Sequence, residues 1–253
     1  MRPFFRFYGS KWSSVPLYPR PGHGLVVEPF AGSASYSVRH EPRRVILCDR
    51  DPYIVGVWRY LIGASAAEIL ALPLLGPDQS VDDLGPVPQE ARWLVGFWVN
   101  TATSSPRATF GAGTKKLWDA KPGIRWGKRT RSRLAHQVDR IRHWEIREGD
   151  CMDVLADVGA ATYFVDPPYQ QMGKHYRFGS KLLDFPALGR WCRERQGQVI
   201  ACEHEGADWL PFSPLARTHS AKTCKSSSAE AVWCSDGWRP MTQPGLFDAE
   251  ATP

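Results

Sequence analysis

The chain has 253 residues, 43% of them hydrophobic and 23% charged, with a formal net charge of +6. That length buries a full core, either as one large domain or as one domain carrying a substantial insertion, and the composition is that of an ordinary soluble globular protein. There is no apolar stretch of the roughly 18 to 20 residues that span a membrane; Met1-Arg2-Pro3-Phe4 lacks a signal-peptide core and the six cysteines form no C-x-x-C pair, so the expectation is a cytoplasmic protein without a disulfide framework.

Leu25-Val26-Val27 and Val45-Ile46-Leu47 read as short buried strands separated by a helix from Ala34 to His40. A second helix is predicted from Pro52 to Ile62, with Val55, Trp58 and Ile62 on one face. This βαβα opening implies a parallel sheet. The pattern breaks from Leu72 to Gln89, where Pro, Gly and Asp mark a linker or irregular surface loop, followed by an aromatic stretch from Trp93 to Trp98 and a polar, Gly-rich one from Asn100 to Thr114. Between Arg107 and Arg147 twelve Lys or Arg residues face three acids, a local balance of +9 on a chain otherwise at about −3. Such a segment is either the footprint of a polyanion-binding insert or a solvated basic helix face. Within it Leu134, Val138, Ile141 and Trp144 recur at helical spacing, which predicts an amphipathic helix over Thr130–His143 with its arginines outward and its apolar stripe on the main domain. Strands resume at Glu145-Ile146-Arg147, at Tyr163 to Val165 and at Gln198 to Cys202, with a helix from Phe185 to Gln196 before the last. The expected organisation is two α/β parts, 1–66 and 145–240, around a mainly helical insert, 67–144, with a flexible tail, 241–253.

The chemistry concentrates in Asp166-Pro167-Pro168-Tyr169, delivered by the apolar run Tyr163-Phe164-Val165 to the carboxyl edge of a sheet. An exocyclic amine on an aromatic base is a poor nucleophile, because its lone pair is delocalised into the ring. Two acceptors aimed at its N–H bonds draw the nitrogen toward tetrahedral geometry; Asp166 can supply one and the Pro167 carbonyl the other. The prolines stiffen the turn, and Tyr169 offers a flat face for an extruded base. The same four residues also suit a plain strand-ending turn. Upstream, Glu28-Pro29-Phe30-Ala31-Gly32-Ser33-Ala34-Ser35 follows the first strand with small residues that let the backbone turn and approach a ligand, and G-x-G-x-x-G is absent, which disfavours nicotinamide or flavin. Asp49 ends the second strand, where an acid can accept from ribose hydroxyls or cap a helix. Cys202, His204, His219 and Cys224 match no familiar zinc spacing, so no metal is expected.

The order Phe7-Tyr8-Gly9-Ser10-Lys11, then Glu28 to Ser35, Asp49, the basic segment, Gly149-Asp150 and Asp166-Pro167-Pro168-Tyr169 resembles the Dam-like DNA adenine N6-methyltransferases over roughly residues 4 to 235. The resemblance implies a Rossmann-like α/β sheet that binds S-adenosylmethionine, with an inserted basic target-recognition domain. It makes Lys11 the partner of the cofactor carboxylate, with Phe7 and Tyr8 in the same pocket, Pro29, Phe30 and Gly32 around the methionine part, Asp49 on the ribose and Asp150 near the adenine. Asp166, itself at the cofactor, would hold the flipped base with Pro167, Pro168 and Tyr169. Double-stranded DNA is the implied partner, with Lys115, Lys116, Arg125, Lys128, Arg129, Arg131 and Arg133 as candidate contacts. Two positions depart from the family pattern: the lysine motif usually reads Gly-Gly-Lys where this chain has Ser10, and Ala34 stands for a second loop glycine. N4 of cytosine is the alternative target, and a catalytically silent DNA-binding protein the alternative class; an RNA substrate is less favoured by the position of the insert. His204 lies where the family places a polar strand end near the active site, Lys222 to Ser228 resembles a basic loop near the flipped base, and Gln243-Pro244-Gly245-Leu246-Phe247 resembles a sliding-clamp peptide, with Gln243, Leu246 and Phe247 as its anchors.

Overall fold

The computed structural model describes residues 1–100, 103–121, 124–173, 176–218 and 228–240. Seven strands, β1 (Leu25–Glu28), β2 (Arg44–Asp49), β3 (Glu145–Glu148), β4 (Ala161–Val165), β5 (Gly197–His204), β6 (Ser213–Thr218) and β7 (Ser228–Cys234), form one sheet in the order β3-β2-β1-β4-β5-β7-β6. The first five in that order run parallel, and β7 lies antiparallel between β5 and β6. All five residues of β4 are buried, as a central parallel strand covered on both faces requires. This is the Rossmann-like α/β sheet that the motif order implied. The antiparallel β6–β7 pair adds to it an element that the sequence pattern does not announce.

Helices cover both faces. On one lie α1 (Ser35–His40), α2 (Pro52–Gly63) and the helices that follow, α3 (Ala66–Ala71), α4 (Gln89–Trp98), α5 (Ala112–Lys116) and α6 (Lys128–Val138); on the other lie α7 (Cys151–Val154) and α8 (Phe185–Glu194). Strand alternation divides the packing: Val45 and Leu47 face α2, while Ile46 and Cys48 face the layer of α7 and α8. Starts are capped by short polar side chains: the Asp51 carboxylate accepts from Tyr53 N at 2.9 Å ahead of Pro52, and Ser65 with Glu68 forms a reciprocal capping box on α3.

The described residues of segment 67–144 carry α4, α5, α6 and most of α3, and they share their interior with the sheet. Leu94 and Phe97 of α4 and Leu134 and Val138 of α6 belong to the same buried cluster as Trp58 and Leu61 of α2 and Leu47 of β2. The N-terminal residues run between the two parts: Phe4 and Phe5 are buried against Trp58 with ring centroids 5.7 and 5.5 Å away, and the Trp98 indole donates to Phe4 O at 2.9 Å. This path carries Phe7 to Lys11 to the edge of the sheet.

The predicted helix over Thr130–His143 begins earlier and ends sooner, at Lys128 and Val138, passing into a 3-10 turn at Asp139–Ile141. Nor do all its arginines face outward. Arg131 donates to Leu72 O at 2.6 Å and Arg133 to Pro3 O at 2.9 Å, because segments without regular structure leave carbonyls that need donors. No helix among the described residues is long and apolar enough to cross a membrane.

Candidate active site

β1 and β4 are neighbours, and from them the chain continues to opposite sides, toward β2 and toward β5. Open α/β sheets bind ligands beyond the carboxyl ends of strands at such a reversal. A cleft of about 1000 Å³, its open mouth included, lies there. Its walls are Phe7 to Lys11, the loop from Glu28 to Ser35, Asp49 to Asp51, Gly149 to Met152, Asp166 with Pro168, and Tyr176 to Phe178.

The β1–α1 loop is held from three sides. Ala31 N donates to Cys48 O at 2.8 Å, Gly32 N donates to Asp49 Oδ2 at 3.0 Å, and the Trp58 indole donates to Gly32 O at 2.8 Å. Gly32 has φ 43°, and a Cβ there would lie 3.0 Å from the Phe7 ring, so glycine is favoured both by conformation and by the close approach of the N-terminal segment. Ala34 also sits in the left-handed region, at φ 46°, so alanine carries some strain there that a glycine would not. Ser10, the other departure, has a use: its hydroxyl lies 2.8 Å from Ser35 Oγ and accepts from Ser33 Oγ at 3.1 Å, tying the lysine segment to the loop.

Asp49 accepts at both oxygens, from Gly32 N and, at 2.9 Å, from Asp51 N. Burial lifts its carboxyl to about 6, restrained by those two N–H groups. Glu28, at the end of β1, accepts from Ser37 N at 2.8 Å and is pushed by burial to about 8. Asp150 caps α7 by accepting from Met152 N at 2.8 Å and pairs with Arg50. Asp49, Asp150 and Glu28 together give this wall of the cleft a surplus of acceptors.

Directly after β4, Asp166 Oδ1 lies 3.0 Å from Lys11 Nζ, both side chains largely buried. Burial raises the Asp166 carboxyl to about 6; Lys11 opposes the rise and Glu230 adds to it. For Lys11, burial lowers the ammonium but Asp166 and Glu230 outweigh it, so it stays protonated well above the ordinary lysine value. The ammonium sits 4.5 Å from the centre of the Tyr169 ring. The Tyr169 hydroxyl in turn donates to Glu230 Oε2 at 2.5 Å.

The nine residues that the resemblance implied at the cofactor, Phe7, Tyr8, Lys11, Pro29, Phe30, Gly32, Asp49, Asp150 and Asp166, all line this one cleft. Of the tetrapeptide, Pro168 joins them, while Tyr169 lies behind Lys11 and Pro167 is buried. The candidate DNA-binding residues divide. Lys116, Lys128 and Arg129 are exposed, and Lys115 is exposed but paired with Asp78 at 2.8 Å. Arg125 stacks 3.8 Å over Trp118 and donates to the Trp118 carbonyl, so together with Arg131 it holds the segment's own structure, while Arg133 ties the segment to the Pro3 carbonyl. His204 does not line the cleft, and its Nδ1 lies 2.8 Å from Glu205 O. Among the described residues no cluster of His, Cys, Asp and Glu is arranged to hold a metal. Gln243, Leu246, Phe247, His219, Cys224 and Lys222 to Ser227 lie outside the described residues.

Tyr176, Arg177, Glu203 and Glu230 belong to the site's surroundings without standing out in the sequence. Tyr176 packs on Tyr8 with centroids 5.6 Å apart and lies against Gly9, where no side chain would fit; Arg177 lies 4.9 Å over the Tyr53 ring. The one signal available was the aromatic and basic run Tyr176-Arg177-Phe178 soon after the tetrapeptide.

No protein-family model matches the chain, and no curated protein sequence matches it. Among solved structures it is similar to the rRNA methyltransferase aviRa from Streptomyces viridochromogenes, in two structures, at 14% identity and a TM-score of 0.41 over 93% of this chain and 88% of that one. It is also similar to the putative methyltransferase yhhF from Escherichia coli, at 11% identity and a TM-score of 0.35 over 88% of this chain and 78% of that one.

Proposed function

We propose that the chain is an S-adenosylmethionine-dependent methyltransferase acting on N6 of an adenine extruded from double-stranded DNA. The observation that carries the reading is the placement of Asp166: an acceptor carboxylate at the strand end, 3.0 Å from a buried ammonium, in the cleft at the sheet's reversal point. The donor set suits the cofactor. Lys11 offers a cation for a carboxylate, and Asp49 keeps lone pairs for ribose hydroxyls after its two backbone bonds. Ile54, Met152, Leu183 and Leu188 supply apolar wall for a purine. Gly32 lets the Phe7 ring, itself part of the cleft wall, pack close against the loop. When bound, the cofactor supplies a methyl group activated by a sulfonium leaving group.

The chain's own residues prepare the nucleophile. Asp166 accepts one N6–H bond and the Pro167 carbonyl a second, which localises the nitrogen lone pair toward the methyl group. The proton lost after transfer goes to water, so no dedicated strong base is needed. Tyr169 stacks the base, and Lys116, Lys128 and Arg129 meet phosphates, which position the duplex without reading its sequence.

Expression in a methylation-free host, followed by sequencing that separates N6-methyladenine from N4-methylcytosine, tests the reading and returns the site. The expected result is N6-methyladenine at one short sequence, lost in Asp166→Ala while DNA binding persists. Full activity in Asp166→Ala refutes the mechanism, and N4-methylcytosine alone refutes the choice of base.

A further inference from the structure

Two glutamates outside the tetrapeptide are buried beside it. Glu203 on β5 is 0% exposed and Glu230 on β7 is 7% exposed. The register sets Glu203 opposite Ala231 and Glu230 opposite His204, so the two acids lie on adjacent strands one step apart. Buried carboxylates are costly unless donors satisfy them, and here the donors come from the tetrapeptide and its supports. Glu203 Oε2 accepts from Gln170 N at 3.1 Å and from the Trp209 indole at 3.0 Å, while Oε1 accepts from His204 N at 2.9 Å. Glu230 Oε2 accepts from the Tyr169 hydroxyl at 2.5 Å and the Tyr18 hydroxyl at 3.4 Å, and stands 3.9 Å from Lys11 Nζ.

Tyr169 is thus held at two ends, by its hydroxyl and by the amide that follows it. Stacking alone needs only a flat ring, which phenylalanine also has. The hydroxyl has its use in the bond to Glu230. The Lys11 ammonium, 4.5 Å from the ring centre, and the buried cluster that includes Tyr18 and Phe164 fix the ring's orientation further.

We propose that Glu203 and Glu230 are positioning residues that clamp Tyr169 as the platform for the extruded base. The inference rests on the DNA methyltransferase reading above. Its test uses the full chain with S-adenosylhomocysteine and a duplex carrying 2-aminopurine at the mapped target position, alongside kcat and KM for unmodified duplex. Loss of one hydrogen bond to a charged group predicts that Tyr169→Phe and Glu230→Ala each reduce kcat/KM for DNA by about tenfold. Because they remove the same bond, the double variant should be no worse than the poorer single one. Glu230→Gln, which keeps an acceptor, should recover at least about threefold of the alanine loss, and Glu203→Gln should weaken the 2-aminopurine signal less than Glu203→Ala. Calorimetric binding of S-adenosylhomocysteine should be unchanged in Tyr169→Phe, a substitution that leaves the ring's packing in place and so guards against simple unfolding. Losses that multiply to about a hundredfold in the double variant, or a Tyr169→Phe protein equal to wild type in both readouts, overturn the clamp. A wild-type protein that binds S-adenosylhomocysteine but never changes 2-aminopurine fluorescence overturns the base-extrusion reading itself, and the clamp with it.

Discussion

The carboxyl of Asp166, raised to about 6, makes the pH dependence of methyl transfer a direct test of its role. In the proposed role, as the acceptor of an N6–H bond, it must be ionised. Catalytic efficiency should therefore be level above about pH 7 and fall tenfold per pH unit below 6, leaving about one tenth at pH 5. The main cause of the raised value is burial, and Lys11, 3.0 Å away, is the group that holds it down. Replacing Lys11 with methionine should then move the acid limb upward, by on the order of 1 to 3 pH units for an opposite charge at this range. The assay is kcat/KM for the mapped duplex from pH 5 to 9, which reports the free enzyme's groups, with circular dichroism to establish that the fold persists. A wild-type profile level down to pH 5 refutes an ionised Asp166 as acceptor, and a Lys11→Met limb shifted to lower pH refutes the electrostatic account.

Glu28, pushed by burial from 4.5 to about 8, has its folded value above its unfolded one. Its contribution to stability is therefore complete below pH 4.5 and disappears as pH rises through 8, an effect of about 2 to 5 kcal/mol. Glu28→Gln should gain on wild type between pH 5 and 8 in urea denaturation and hold a level advantage above that, and parallel curves from pH 5 to 8 would contradict this. Gly32→Ala places a methyl 3.0 Å from the Phe7 ring at φ 43°, so it should cost about 1–2 kcal/mol of stability and at least about tenfold in affinity for S-adenosylhomocysteine by calorimetry. Charge reversal at the exposed Lys128 and Arg129 should leave stability within about 0.5 kcal/mol yet weaken duplex binding, and should lower the slope of log K against log salt by about 1 for each phosphate no longer neutralised. An unchanged salt slope would remove both residues from the DNA surface.

How much of this was legible depended on whether the signal was local. The strands around Val26, Ile46, Phe164 and Ile200 were readable because central parallel strands are unbroken apolar runs. Helix α2 was readable because an acid, a proline and an apolar periodicity agree at Asp51-Pro52. Helix α3 carries a cap signal, Ser65 with Glu68, but the apolar stretch behind it is too short to show a helical period. Strand β6 contains Pro214 and β7 contains Glu230, both poor strand formers, and the pair owes its place to antiparallel pairing at the sheet's end. Helical period points Arg131 and Arg133 outward, but which carbonyls elsewhere lack donors is a tertiary matter that no periodicity encodes. Within the site the strand-end acids and the glycine were visible as motifs. Glu203 and Glu230 were not, since nothing about an isolated glutamate marks it as buried.

The continuous cluster running from Leu47 and Trp58 to Phe97, Leu134 and Val138 bears on how such a protein can be altered. Residues 67–144 cannot be exchanged as a cassette, because cutting them away strips the outer layer from α2 and removes the Trp98 and Arg133 donors that hold the N-terminal segment carrying Lys11. Substitutions in this segment would have to retain that scaffold and be confined to solvent-facing positions such as Lys116, Lys128 and Arg129. A graft of the whole segment onto a foreign host would be expected to forfeit solubility before it revealed any change of target.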